Sequence, residues 1–216
     1  MNPIDEAQAR AILNVRGKNH VVGWNMTPDE ARQFFEQQRK TVLTFIGYSV
    51  DYEDEPGMIQ TVRKVLSQYL PESTLVNIGA TEGGVGDAYS VAKSLGFTTT
   101  GIVSTQALAH PEYISATVDY VCFIRDESWG GKLASGELAP TSRAMVLCSD
   151  FVVGIGGGPI SRDELLAAKA SGKPVIFYPA EMSHEAAILW AERRGLPVPT
   201  SFWGDAHEAF ASATHL

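Results

Sequence analysis

Between Phe151 and Leu166 the chain reads F-V-V-G-I-G-G-G-P-I-S-R-D-E-L-L, and few folds accommodate such a stretch. A short apolar, β-rich run stops at Gly156-Gly157-Gly158, and a helical pattern with Leu165, Leu166 and Ala168 on its apolar side begins about three residues later. Strand, bare loop and helix follow one another almost without spacer. Glycines leave backbone N–H groups uncovered and free to take positive φ. The start of the helix turns its own unpaired N–H groups and the positive end of its dipole toward the same place. Such a corner accepts an anion, most simply a phosphate. Read alone, the same glycine run also serves as a tight turn under a packed helix.

From Thr41 onward the pattern repeats. Apolar β-rich runs at residues 42–49, 74–79, 98–104, 118–124, 151–155 and 174–178 alternate with helical patterns, among them one from about Pro56 to Leu70 and one through Tyr89, Ala92 and Leu95. Alternation of this length implies parallel strands joined by helical crossovers. The expected fold class is α/β, a Rossmann-like three-layer α/β/α sandwich with a mostly parallel sheet. Residues 1–40 read as an N-terminal extension packed on a main domain over 41–216, with a short helix over 9–16 and a turn or short hairpin over 17–25. A second helix opens at Thr27-Pro28-Asp29-Glu30, where Thr27 caps, Pro28 fits the first helical position and Glu30 completes a capping box. Two helices are expected at the end, over 183–194 and 205–213.

In parallel α/β sheets, ligands sit beyond the carboxyl ends of the strands, where strand order reverses. Three glycine-bearing turns fall at strand ends here: Gly47-Tyr48-Ser49, the stretch from Gly79 to Gly86, and Gly156 to Gly158. Their convergence on one crevice makes Gly47, Ser49, Gly83, Gly84, Gly156, Gly157, Gly158 and Ser161 candidate ligand contacts. Glu82 and Asp87 are candidates for ribose or base contacts, or else solvated acids. The glycine-rich segment 126–140 carries Trp129 and Lys132 and reads either as a flap, with Trp129 stacking on a base and Lys132 meeting an anion, or as an exposed loop packed on the body.

Composition narrows the function. A formal net charge of −8 argues against binding nucleic acid backbone in general, while a small anion needs only one local pocket. Two cysteines, Cys122 and Cys148, make no disulfide framework and fit reduced core positions. The opening M-N-P-I-D-E-A-Q-A-R has no signal-peptide pattern and no apolar run reaches membrane-spanning length, so a cytoplasmic protein without a membrane partner is expected. His110 and His184 lack spacing partners for a metal site, and Asp150 suits a structural bond at a helix-to-strand turn.

The succession F-I-G-Y-S (45–49), I-G-A-T-E-G-G-V-G-D-A (78–88), S-D-F-V-V-G-I-G-G-G-P-I-S-R-D-E (149–164) and G-K-P-V-I-F-Y-P (172–179) resembles the Lonely Guy family, within a wider superfamily of Rossmann-like nucleotide-binding proteins. The family pattern G-G-x-G-T-x-x-E falls on Gly157 to Glu164. The resemblance implies a nucleoside 5′-monophosphate held by its phosphate and hydrolysis of its N-glycosidic bond to free base and ribose 5-phosphate. It also implies Glu164 as catalytic carboxylate, no metal or redox cofactor, and a homodimer. A carboxylate beside C1′ suits that reaction, because bond cleavage builds positive charge on the ribose. Without the resemblance, a glutamate in a first helical turn reads as a charge that favours the dipole.

Two positions depart from the family. Ile160 stands where the family has its next glycine, and Ser161 replaces a threonine. The family's catalytic arginine aligns with Thr141, and the nearest arginine is Arg143, about 200° further round a formed helix. Pro140 places the start of the helix here, which leaves Arg143 as the candidate sugar or phosphate contact. Two functions therefore stand side by side: a Lonely-Guy-like phosphoribohydrolase using Glu164 and Arg143, and a non-catalytic sensor or carrier of a nucleotide-like ligand such as a pterin cofactor, as in a molybdenum cofactor carrier. Dinucleotide oxidoreduction is disfavoured, since the loop after Gly79 lacks the full G-x-G-x-x-G spacing.

Overall fold

A computed structural model of the chain describes residues 20–210. Its centre is one sheet of seven strands: β1 (His20–Met26), β2 (Thr41–Gly47), β3 (Thr74–Ile78), β4 (Thr98–Ser104), β5 (Tyr120–Ile124), β6 (Phe151–Ile155) and β7 (Val175–Tyr178). Every neighbouring pair is parallel, and the order is β1-β5-β4-β3-β2-β6-β7. The helices are α1 (Pro28–Gln38), α2 (Glu55–Leu66), α3 (Ala88–Ser94), α4 (Pro140–Cys148), α5 (Pro159–Ala170), α6 (His184–Arg193) and α7 (Asp205–Phe210).

A parallel sheet must be covered on both faces. On one face α2 and α3 bury Met58, Val62, Tyr89 and Val91 against Phe45, Ile78 and Phe123. On the other, α1, α4, α5 and α7 bury Phe35, Met145, Leu165 and Phe210 against Val42, Ile46, Ile102 and Val152. The result is the Rossmann-like α/β/α sandwich expected. Inside it a polar chain crosses three strands: Thr100 Oγ1 donates to Asn77 Oδ1 (3.1 Å), Asn77 Nδ2 to Thr44 Oγ1 (3.2 Å), and Thr44 and Ser149 share a hydrogen bond of 2.6 Å. Satisfied in this way, buried polar groups fix strand register rather than loosen the core.

The capping box at α1 is present as read: Thr27 Oγ1 accepts from Glu30 N, and the Glu30 carboxylate accepts from Thr27 N at 2.7 Å. Asp150 ties β6 to β2 through Val42 N at 2.8 Å. The expected turn or hairpin before α1 is instead β1, an edge strand hydrogen-bonded to β5, with Trp24 stacked on Phe123 at 5.3 Å. A boundary at residue 40 therefore cuts through one sheet. The helix expected over residues 9–16 and the end of that over 205–213 lie outside the described residues.

The order of strands places the site. From β2 the chain steps through β3, β4 and β5 in one direction, then returns to lay β6 on the other side of β2. Gly47 and Ile155 stand in register at the carboxyl ends of these two strands. The crevice that opens where strand order reverses is thus flanked by the first and third glycine turns.

Beside it, fully buried Tyr89 fastens the loop after β3: its hydroxyl donates to Thr100 O (2.8 Å) and accepts from Ala80 N (3.1 Å), next to the left-handed Ala80. We expect Tyr89→Phe to cost about 1–3 kcal/mol in denaturant unfolding, because the buried Ala80 N–H loses the acceptor that the hydroxyl supplies; a cost below the error of that measurement would contradict the assignment.

Candidate functional site

At the end of β6 the backbone takes φ +54° at Gly156 and +121° at Gly157. A Cβ at Gly156 would also lie 2.5 Å from the Tyr48 ring, so glycine is required twice over. Gly158 differs: its φ is −87°, and a Cβ there would meet nothing within 4 Å. Helix α5 begins on Pro159 with no side-chain cap. The Gly157 N–H is turned to the Tyr48 hydroxyl, whereas among the described residues no partner satisfies the N–H groups of Gly158, Ile160 and Ser161. These donors, the open space before Gly158 and the positive end of a 12-residue helix form an anion seat made of backbone.

The seat is braced from three sides. Ser161 Oγ donates to Gly47 O at 2.9 Å, so its hydroxyl is a strut between β2 and α5, and its N–H is what remains for a ligand. Tyr52 Oη donates to Ile155 O (2.8 Å) and accepts from Tyr48 N (3.2 Å). Tyr48 Oη donates to Ala180 O (3.2 Å) and accepts from Gly204 N (2.8 Å). Burial raises the Tyr48 and Tyr52 hydroxyls above the usual phenol range, so both stay protonated donors. Across the top, Ala206 N donates to Gly157 O at 3.1 Å, and Glu181 pairs with Trp203. This strap from the C-terminal residues carried no signal in the sequence, since its bonds run through backbone.

The predicted residues separate into groups. Gly47, Gly156, Gly157, Gly158 and Ser161 come together at the crevice. Gly84, at φ +61°, lies buried against the Tyr48 and Val50 carbonyls, and Val85 N donates to Tyr48 O at 2.8 Å; this loop buttresses the site and does not offer Gly84 to a ligand. Ser49 and Glu82 are exposed, and Gly83 is half-buried beside Asp51. Ile160 leans on the flap, with Cγ2 3.4 Å from the Cβ position of Gly130, and leaves the space before Gly158 free.

Arg143 is not where a substrate contact needs it. It lies exposed on α4, with Nη2 3.9 Å from Asp29 of α1, whereas α4 directs Ser142 at Glu164. The helix is already formed at Pro140, so the two-residue offset swings the guanidinium away. Thr141 is held through its N–H, which donates to Asp126 Oδ2 at 2.8 Å. Burial opposes the Asp126 charge, but hydrogen bonds from Thr141 and Ser128 outweigh it and hold the carboxyl below its usual range.

Glu164 is buried, 5% exposed, and accepts from Ser142 Oγ at 2.6 Å; Ser142 Oγ in turn accepts from Gly131 N at 2.7 Å. The segment 126–139 thereby closes over the carboxyl. Burial pushes the Glu164 pKa up to about 7, with the Ser142 bond pulling it down and the neighbouring Asp163 adding to the rise. Asp163 itself is paired with Arg162 (2.9 Å), whose guanidinium also binds Asp205 (3.0 Å). Trp129 stands half-exposed at the head of the same segment, and Lys132 bridges to Leu138 within it. His184 stacks on Phe202 at 3.8 Å and meets Glu181 at 3.2 Å. Among the described residues no group of three His, Cys, Asp or Glu side chains is disposed to hold a metal, and no helix is long and apolar enough to cross a membrane.

No protein-family model and no curated protein sequence matches the chain. Among solved structures, the molybdenum cofactor carrier protein of Chlamydomonas reinhardtii is 22% identical over 73% of this chain and 88% of its own, with a TM-score of 0.46. The molybdenum cofactor binding protein of Rippkaea orientalis is 18% identical over 81% and 97%, at 0.48. DNA processing protein A of Streptococcus pneumoniae is 13% identical over 84% and 64%, at 0.46. Likenesses this distant say nothing of what this chain binds.

Because its folded pKa is raised from 4.5, Glu164 binds a proton more readily in the folded than in the unfolded chain. Its contribution is intact below pH 4.5 and is lost as pH rises toward 7. We expect Glu164→Gln, which keeps an acceptor for Ser142, to gain stability over the natural chain between pH 5 and pH 8, by up to the order of 3 kcal/mol. Unfolding curves at the two pH values that run parallel for both proteins would contradict the burial of a titrating carboxyl.

Proposed function

We propose that this chain binds a phosphorylated, nucleotide-like small molecule, with the phosphoryl oxygens on the N–H groups of Gly158, Ile160 and Ser161, and that it does so as a sensor or carrier. The observation that carries this reading is the uncapped start of α5 facing open space at Gly158. A helix that needed only stability gains from a Ser, Thr, Asp or Asn cap at that position. The donors are neutral, so the seat takes an anion although the chain is acidic overall. Binding without turnover is favoured because Glu164 is sealed behind Ser142 and Gly131, and Arg143 faces α1.

One observation favours the Lonely-Guy-like hydrolase as a second reading. A carboxyl with a pKa of about 7 keeps a proton near neutrality that a departing base can take up. That use requires segment 126–139 to lift from Glu164, exposing it toward the same phosphate seat. Chromatography of nucleoside monophosphates incubated with the protein separates the two: free base, lost in Glu164→Gln, supports hydrolysis.

Gly158→Asp tests the binding site itself. The backbone angle is ordinary and the added side chain meets nothing, so the fold is expected to keep its melting temperature or gain from the new cap. The carboxylate then occupies the seat, and calorimetry should show affinity for AMP and for ribose 5-phosphate falling at least about tenfold. Equal affinity in the variant and the natural chain would contradict the reading.

A further inference from the structure

Three exposed rings from two different loops stand together. His110 and Tyr113, in the loop after β4, lie 5.7 Å apart between centroids, and Trp129, at the head of segment 126–139, lies 6.4 Å from His110. Tyr113 is 63% and Trp129 49% exposed. The rings are mutually tilted by 33°, so they do not cover one another's faces as a packed stack does. The loops are held: Asp126 accepts from Ser128 N and Oγ at 2.8 Å, and Gln106 donates to Glu127 O, joining the segment to the loop after β4.

Trp129 is also tied to the seat by chain. It immediately precedes Gly130, whose Cβ position is 3.4 Å from Ile160 Cγ2, and Ile160 supplies one of the free N–H groups. Strand β4 stands three places from β6 in the sheet, about 14 Å at normal strand spacing. A span of that order between the strand ends suits a nucleotide better than a sugar phosphate alone. We infer that His110, Tyr113 and Trp129 form a shelf on which the planar heteroaromatic ring of the ligand stacks while its phosphate occupies the seat at Gly158–Ser161. The inference rests on the binding reading above and adds what that reading leaves open, the part of the ligand that confers selectivity. Stacking on ring faces tolerates any π-system, so the shelf selects for a base without hydrogen-bond readout of which base.

The test compares AMP, GMP and ribose 5-phosphate by calorimetry on the full chain. The natural protein should bind both nucleotides at least about tenfold tighter than ribose 5-phosphate. In Trp129→Ala and, separately, in Tyr113→Ala, that preference should shrink several-fold, and Trp129→Phe should retain most of it; thermal melts check that each variant is folded. Gly158→Asp should weaken all three probes together. If the natural chain binds ribose 5-phosphate as tightly as the nucleotides, or if the alanine variants keep the full preference, the shelf is overturned while the seat stands. If none of the probes binds, seat and shelf fall together.

Discussion

Because Gly47 and Ile155 stand in register on adjacent parallel strands whose connections run to opposite sides of the sheet, the two chains leaving them must diverge. Divergence leaves a gap, and a gap lined by backbone polar groups has to be braced or filled. Here it is braced. The Ser161 hydroxyl, the Tyr52 hydroxyl and the Tyr48 hydroxyl each span it with a bond to main chain, each worth on the order of 1 kcal/mol. The glycines at 156 and 157 are what permit these braces to approach so closely. What stays unbraced is the set of N–H groups at the start of α5, and the proposed function of the site rests on that omission.

The carboxyl groups around the seat are handled in different ways. Asp163 and Asp205 share Arg162, Asp126 is saturated with N–H and hydroxyl donors, and Glu164 is desolvated enough to hold a proton near neutral pH. Each arrangement lowers the repulsion that an acidic neighbourhood would exert on the proposed phosphate. The same arrangement takes Glu164 out of contact with solvent, and the segment that covers it also carries Trp129. Covering the acid and presenting the indole are thus two consequences of one loop conformation, fixed by Ser142 and Asp126.

Much of this was legible in the residues. Alternating apolar runs and helical patterns gave six of the strands, because in a sheet covered on both faces periodicity and burial coincide. The T-P-D-E capping box and the G-G-G-P turn are local signals, settled within a few residues, and they appear as read. Strand β1 was missed because Gly23, Asn25 and His20 dilute its β signal and its pairing with β5 is irregular at Gly23; its place is decided by a distant partner. The same limit explains Arg143 and Ser142: which face of α4 meets Glu164 depends on where the helix starts, and one residue of uncertainty there rotates the face by about 100°. Gly84 and the strap at Gly204 show the converse, glycines whose role is close approach to backbone far away in the chain.

The most direct measurement is of the backbone amides themselves. In a nitrogen–proton correlation spectrum titrated with ribose 5-phosphate and then with AMP, the amides of Gly158, Ile160 and Ser161 should show the largest shifts, moving together and saturating together, with both ligands. Shifts that leave these three in place and concentrate elsewhere on the molecule would contradict the account.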